Sequence, residues 1–108
     1  MKKIRPAVSY QKFLIQSLRD PKEAAAYLDA ALEGGNARAF LLALRNVLEA
    51  QGGISQAARR TKIHRVSLYK MLSKNGNPGF ENILRLLDAS GISLQLTHKK
   101  KSVNRRAA

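Results

Sequence analysis

The stretch ISQAARRTKIHRVSLYKML, residues 54–72, decides the fold. Five of its nineteen residues are cationic: Arg59, Arg60, Lys62, Arg65 and Lys70. Its apolar residues, Ile54, Ala57, Ala58, Ile63, Leu68, Met71 and Leu72, stand at spacings that suit a packed interior. The two patterns are reconciled by two short helices, about 55–61 and 65–73, joined by a tight turn, which is a helix-turn-helix. Ala57 and Ala58 are small enough to let the helices approach, and Ile63 enters the core from the turn. Leu68, Met71 and Leu72 repeat at i, i+3 and i+4 and seat the second helix on the domain.

Working outward, Gly52-Gly53 ends a helix running over ARAFLLALRNVLEAQ. Phe40, Ala43, Leu44, Val47 and Leu48 give that helix one buried face, and Asn36 caps it. Before it, DPKE at 20–23 starts another helix: Asp20 accepts exposed N–H groups, Pro21 suits the first helical position, and Glu23 sits at the third. Gly34-Gly35 stops this one. A weak helix starts near Tyr10, with Phe13, Leu14 and Leu18 as its apolar contacts. After the NGNPG loop at 75–79 comes a last helix from Phe80 to about Ala89, closed by Gly91. In ISLQLTH the period changes to two, with Ile92, Leu94 and Leu96 alternating against Ser93, Gln95 and Thr97, the pattern of a strand. The expectation is an all-α, five-helix domain with a short C-terminal β-strand at 92–97. Residues 1–12 form an N-terminal arm, 13–97 the helix-turn-helix domain, and 98–108 a disordered basic tail.

The chain has 108 residues, enough for one small core, and no cysteine, which leaves no disulfide framework and no thiolate metal site. Its formal charge is +13 and lies unevenly. Residues 1–50 hold 8 basic and 5 acidic side chains, net +3, and residues 51–108 hold 12 and 2, net +10. So one-sided a field implies a polyanionic partner. The N-terminus begins like a signal peptide, but Tyr10, Gln11 and Lys12 interrupt the apolar run. No segment approaches the roughly 20 apolar residues of a membrane span. The expectation is a cytoplasmic protein with no membrane partner.

On this reading the outward side of the second helix meets double-stranded DNA. Arg65, the first helical residue, can pair bidentately with guanine, Val66 can touch a thymine methyl group, and Ser67 can bond a base or a phosphate. Tyr69 and Lys70 lie where a phosphate passes, and Lys74 is a further DNA-binding candidate. Arg59, Arg60 and Lys62, on the first helix and turn, set register on the backbone, and His64 starts the second helix or contacts a phosphate. Such domains usually bind as two-fold dimers. A lone strand at 92–97 leaves backbone groups unpaired, so it pairs either with its own copy or with another protein. Enzyme chemistry has little support. His64 and His98 stand beside no carboxylate or nucleophile, no residues have metal-ligand spacing, and no cofactor motif occurs. A pure protein-interaction module and a non-specific nucleic-acid coating protein remain as other classes. Salt dependence and sequence preference separate them from a base-reading protein.

The chain also resembles the HigA-like addiction-module antidote proteins (antitoxins). The resemblance spans roughly residues 9–97 and rests on DPKEAAAYLDAAL, AFLLALRNV, GGISQAA, SLYKMLS and the run GNPGFENILRLL. It implies a helical fold similar to the lambda-repressor class and binding to an operator and to a RelE/ParE-type toxin. The implied function is a sequence-specific DNA-binding antitoxin that neutralises the toxin and autorepresses its operon. The alternative is a stand-alone helix-turn-helix repressor without a toxin partner. The family's recognition helix maps onto Arg65, Val66, Ser67, Tyr69 and Lys70. Its usual Ser or Thr before that helix is here His64, a weaker cap.

Overall fold

The structure, a computed structural model, describes residues 6–99. Among these, six helices occur rather than the expected five, since the weak N-terminal helix is a full element: α1 (Pro6–Ser17), α2 (Pro21–Glu33), α3 (Ala37–Ala50), α4 (Gly53–Thr61), α5 (Arg65–Met71) and α6 (Phe80–Ala89). The helix expected from Tyr10 begins at Pro6, because proline's fixed φ suits the first helical position and the missing N–H is no loss there. Residues 6–12 therefore belong to α1. The rest of the expected arm, residues 1–5, and most of the expected tail, residues 100–108, lie outside the described residues.

The helix starts follow from the caps. Asp20 accepts the Lys22 N–H at 3.0 Å, and Asn36 accepts those of Arg38 and Ala39 at 2.9 and 3.2 Å. α3 is the central element. Phe40, Ala43, Leu44, Val47 and Leu48 are buried on it, and α1, α2 and α4 pack against it. α4 in turn carries α5 and α6. Leu18, Leu44, Val47, Leu68 and Leu86, drawn from both halves of the chain, form the centre of one continuous core.

Between α3 and α4 the chain turns sharply, with Gly52 at φ 111° and Gly53 at φ 86°. A Cβ at Gly52 would also press on the Gln56 side chain at 2.9 Å. Glycine is thus required twice over at this position. The turn from α4 to α5 has no glycine. Lys62 takes the left-handed conformation instead, at φ 65°.

The expected strand at 92–97 is not formed. α6 ends at Ala89 and is closed by Gly91, whose N–H donates to the Asp88 carbonyl at 3.0 Å, while the Ile92 N–H donates to the Leu87 carbonyl at 2.9 Å. This two-bond closure pins Ile92 against the core. Residues 92–99 then carry no regular secondary structure. The reason is physical: a strand needs a neighbour to complete its ladder, and no other strand exists among the described residues. The alternation does not produce a buried face either. Ile92 is half-buried, but Leu94 is 38% and Leu96 93% exposed.

Candidate nucleic-acid interface

The side chains of α4 and α5 sort cleanly between core and solvent. Ala57 and Thr61 of α4, Ile63 of the turn and Leu68 of α5 are buried. The Thr61 hydroxyl ties the turn together, donating to the Ala57 carbonyl at 2.7 Å and accepting the Ile63 N–H at 3.2 Å. Lys62 N–H reaches back to Ala58 at 2.8 Å. His64 caps α5 after all: its Nδ1 accepts the Val66 N–H at 3.2 Å. An imidazole nitrogen therefore does here what a serine or threonine hydroxyl would do.

What remains outward is the set singled out in the sequence. Arg65, Val66, Ser67, Tyr69 and Lys70 are all exposed along α5, as are Arg59, Lys62, His64 and Lys74 around it. Val66 and Tyr69, one turn apart, expose 58% and 55% of their surface, so this face pairs apolar contact area with cations. From Ala50 to Phe80 the chain has no acidic residue. The ion pair found among the described residues is Arg85 with Glu81 at 3.7 Å, on α6. The α4–α5 cations are therefore not neutralised by carboxylates of the described chain.

Arg60, also exposed, is hydrogen-bonded at α6 rather than within this group. Its Nη1 donates to the Ala89 carbonyl at 3.3 Å, at the C-terminal end of α6. A cation there satisfies an end carbonyl and suits the negative pole of the helix. Ser55, which the sequence reading passed over, does join it. It lies in the first turn of α4, and its Oγ accepts from Arg65 Nη1 at 3.2 Å. Starting α4 at Gly53 rather than 55 puts Ser55 in the first turn of the helix, where its place near the start of α5 could have been noticed.

A second surface lies around α2 and residues 92–97. A groove of about 520 Å3 is bordered by Ala25, Asp29, Leu32, Ile92 and Leu94, and a second, about 340 Å3 in volume, by Phe40, Pro78, Phe80 and Leu94. Among the described residues no group of three or more His, Cys, Asp or Glu could hold a metal ion. No described helix is long and apolar enough to cross a membrane.

A helical pair with an acid-free, cationic and partly apolar outer face, built on a small α-helical core, is the class of structure defined so far. The model of the family described as probable addiction module antidote protein matches residues 9–98. The chain belongs to that family. It is also similar to an uncharacterized protein of Haemophilus influenzae, 32% identical over 85 residues, which are 79% of this chain and 87% of the relative. No solved structure gives a significant match. An antidote implies a toxin of some kind as its partner.

Proposed function

We propose that this chain is a sequence-specific DNA-binding antitoxin of the HigA-like kind, which neutralises a RelE/ParE-type toxin in the cytoplasm and represses its own operon. In this reading α4 and α5 are a helix-turn-helix of the lambda-repressor sort. α5 enters the major groove, and Arg59, Lys62 and Lys74 run along phosphates. The observation that carries it is the outer face of α5, where Arg65, Val66, Ser67, Tyr69 and Lys70 are all exposed while Leu68 anchors the helix. A helix held only for packing has no need to present two bulky apolar side chains and two cations on one solvent face.

The test is competition binding between the chain's own promoter duplex and random duplex. Arg65→Ala should cost about 1–3 kcal/mol on the promoter and relax preference at one base pair. Lys62→Ala should weaken both duplexes alike. Full promoter preference in the Arg65→Ala protein would refute the assignment of α5 as the reading helix. The protein binds as a homodimer in this proposal, because one helix-turn-helix covers only half a site.

A further inference from the structure

We infer that Ser55 is a positioning residue for base reading: it holds the Arg65 guanidinium at the entrance of the groove and ties it to the DNA backbone. The inference rests on the proposed DNA-binding role of α5. Its starting point is the hydrogen bond from Arg65 Nη1 to Ser55 Oγ, 3.2 Å long, joining the first turn of α4 to the first residue of α5.

Both residues are exposed, so the bond contributes little to the core, and water competes for it in the free protein. Its consequence is geometric. Arginine is long and flexible, and an unrestrained Arg65 would have to be ordered when it meets a base. The bond to Ser55 narrows that search before DNA arrives. It also leaves enough donors. A guanidinium has five N–H groups, and one is spent on Ser55, so a bidentate pair remains for the O6 and N7 acceptors of guanine.

The serine hydroxyl has a second capacity. With its oxygen accepting from Arg65, its own O–H is free to donate, and a phosphate oxygen is a strong acceptor. Ser55 is on the helix that crosses the backbone in the proposed docking, and Arg65 is on the helix that enters the groove. A phosphate–Ser55–Arg65–guanine chain of hydrogen bonds couples the two kinds of contact. Docking one base pair out of register breaks the chain at Ser55 and so penalises the wrong site. No acidic residue lies between Ala50 and Phe80 to draw Arg65 elsewhere, and neither Arg59 nor Lys62 can replace a hydroxyl that both accepts and donates.

The experiment is selection from a randomised double-stranded DNA library with the full chain, run in parallel for the wild type, Ser55→Ala, Ser55→Thr and Arg65→Ala. The wild type should enrich one motif. Ser55→Ala should lose preference at the same base pair as Arg65→Ala, by roughly fivefold, the weight of one ordinary hydrogen bond. Ser55→Thr keeps the hydroxyl and should keep the motif. The melting temperature of Ser55→Ala should stay at the wild-type value, which separates positioning from folding. Three results overturn the inference: an unchanged motif in Ser55→Ala, a loss at a different base pair, or tighter binding with unchanged preference. The last would mean that Ser55 holds Arg65 away from DNA. A wild type that enriches no motif at all overturns instead the DNA-reading proposal beneath it.

Discussion

Lys62 is the place to test whether the α4–α5 turn is under conformational load. Among the described residues it is the one non-glycine at positive φ, with φ 65° and ψ 23°. The turn leaves no choice, because Ile63 must enter the core directly after it and Thr61 clamps both sides through its hydroxyl. For a residue with a Cβ, the left-handed well costs roughly 1–2 kcal/mol. Glycine escapes that cost but gains freedom in the unfolded chain worth about 0.4–1 kcal/mol. The difference leaves ~1 kcal/mol in favour of glycine. The informative comparison is Lys62→Gly with Lys62→Ala, since both lose the charge and only the first loses the Cβ. In a domain of this size ~1 kcal/mol moves the melting temperature by about 4–8 °C. Thermal unfolding followed by far-ultraviolet circular dichroism should place the glycine variant above the alanine variant by that interval. Equal melting temperatures, or a lower one for glycine, would show that the turn stores no such strain. The DNA side of the same residue reads out separately. If Lys62 meets a phosphate, both variants lose about 0.9 from the slope of log affinity against log salt.

Arg59 and Arg60 are neighbours with different surroundings, and their alanine variants should differ accordingly. Arg59→Ala should flatten the salt dependence of DNA binding. Arg60→Ala should leave it unchanged and lower the melting temperature slightly, since its guanidinium serves the end of α6, a contact worth about 0.5 kcal/mol. A salt slope altered by Arg60→Ala would mean that the guanidinium swings to DNA when bound. The proposed dimer is tested at Leu96, which is 93% exposed and so costs the monomer nothing when replaced. If 92–97 lies in the dimer contact, Leu96→Asp forfeits about 1.5–3 kcal/mol of apolar burial and moves the protein toward monomer in sedimentation at micromolar concentration. A wild type already monomeric there, or a variant that stays dimeric, removes this segment from the interface.

Much of the fold is legible in the sequence because it is written in local signals. Asp20-Pro21 and Asn36 mark helix starts through side chains two and three residues from the N–H groups they serve. Gly91 marks a helix end through its own φ of 78°. The apolar spacing of α3 is equally local. The strand at 92–97 is misread because alternation alone cannot say whether a ladder partner exists, and that is a property of the whole chain. The site divides along the same line. The outward set on α5 follows from helical period and the position of Leu68. The diversion of Arg60 to Ala89, 29 residues on, and the pairing of Ser55 with Arg65, ten residues on, depend on how α4 lies against α6 and α5.

The charge of the molecule has the same double character. A net +13, taken as a whole, is poorly suited to a cationic partner, but the charge lies unevenly along the chain and the helices carry that unevenness into space. Residues 53–74, which hold α4 and α5, carry six basic and no acidic side chains, whereas residues 20–33, which hold α2 and its cap, carry Asp20, Glu23, Asp29 and Glu33 against Lys22. α2 packs chiefly on α3, and α3 stands between it and α4. A helix with its side chains is about 10–12 Å across. The screening length at physiological ionic strength is about 8 Å. The carboxylates of α2, net −3 over residues 20–33, thus lower the positive field on the α2 side relative to the α4–α5 side, whose own field arrives there damped. That side also holds the groove bordered by Asp29, Leu32 and Leu94. Net charge is consequently no argument against a basic protein partner there. A protein partner that docked on the α2 side would therefore not compete with DNA on α5 for the same surface.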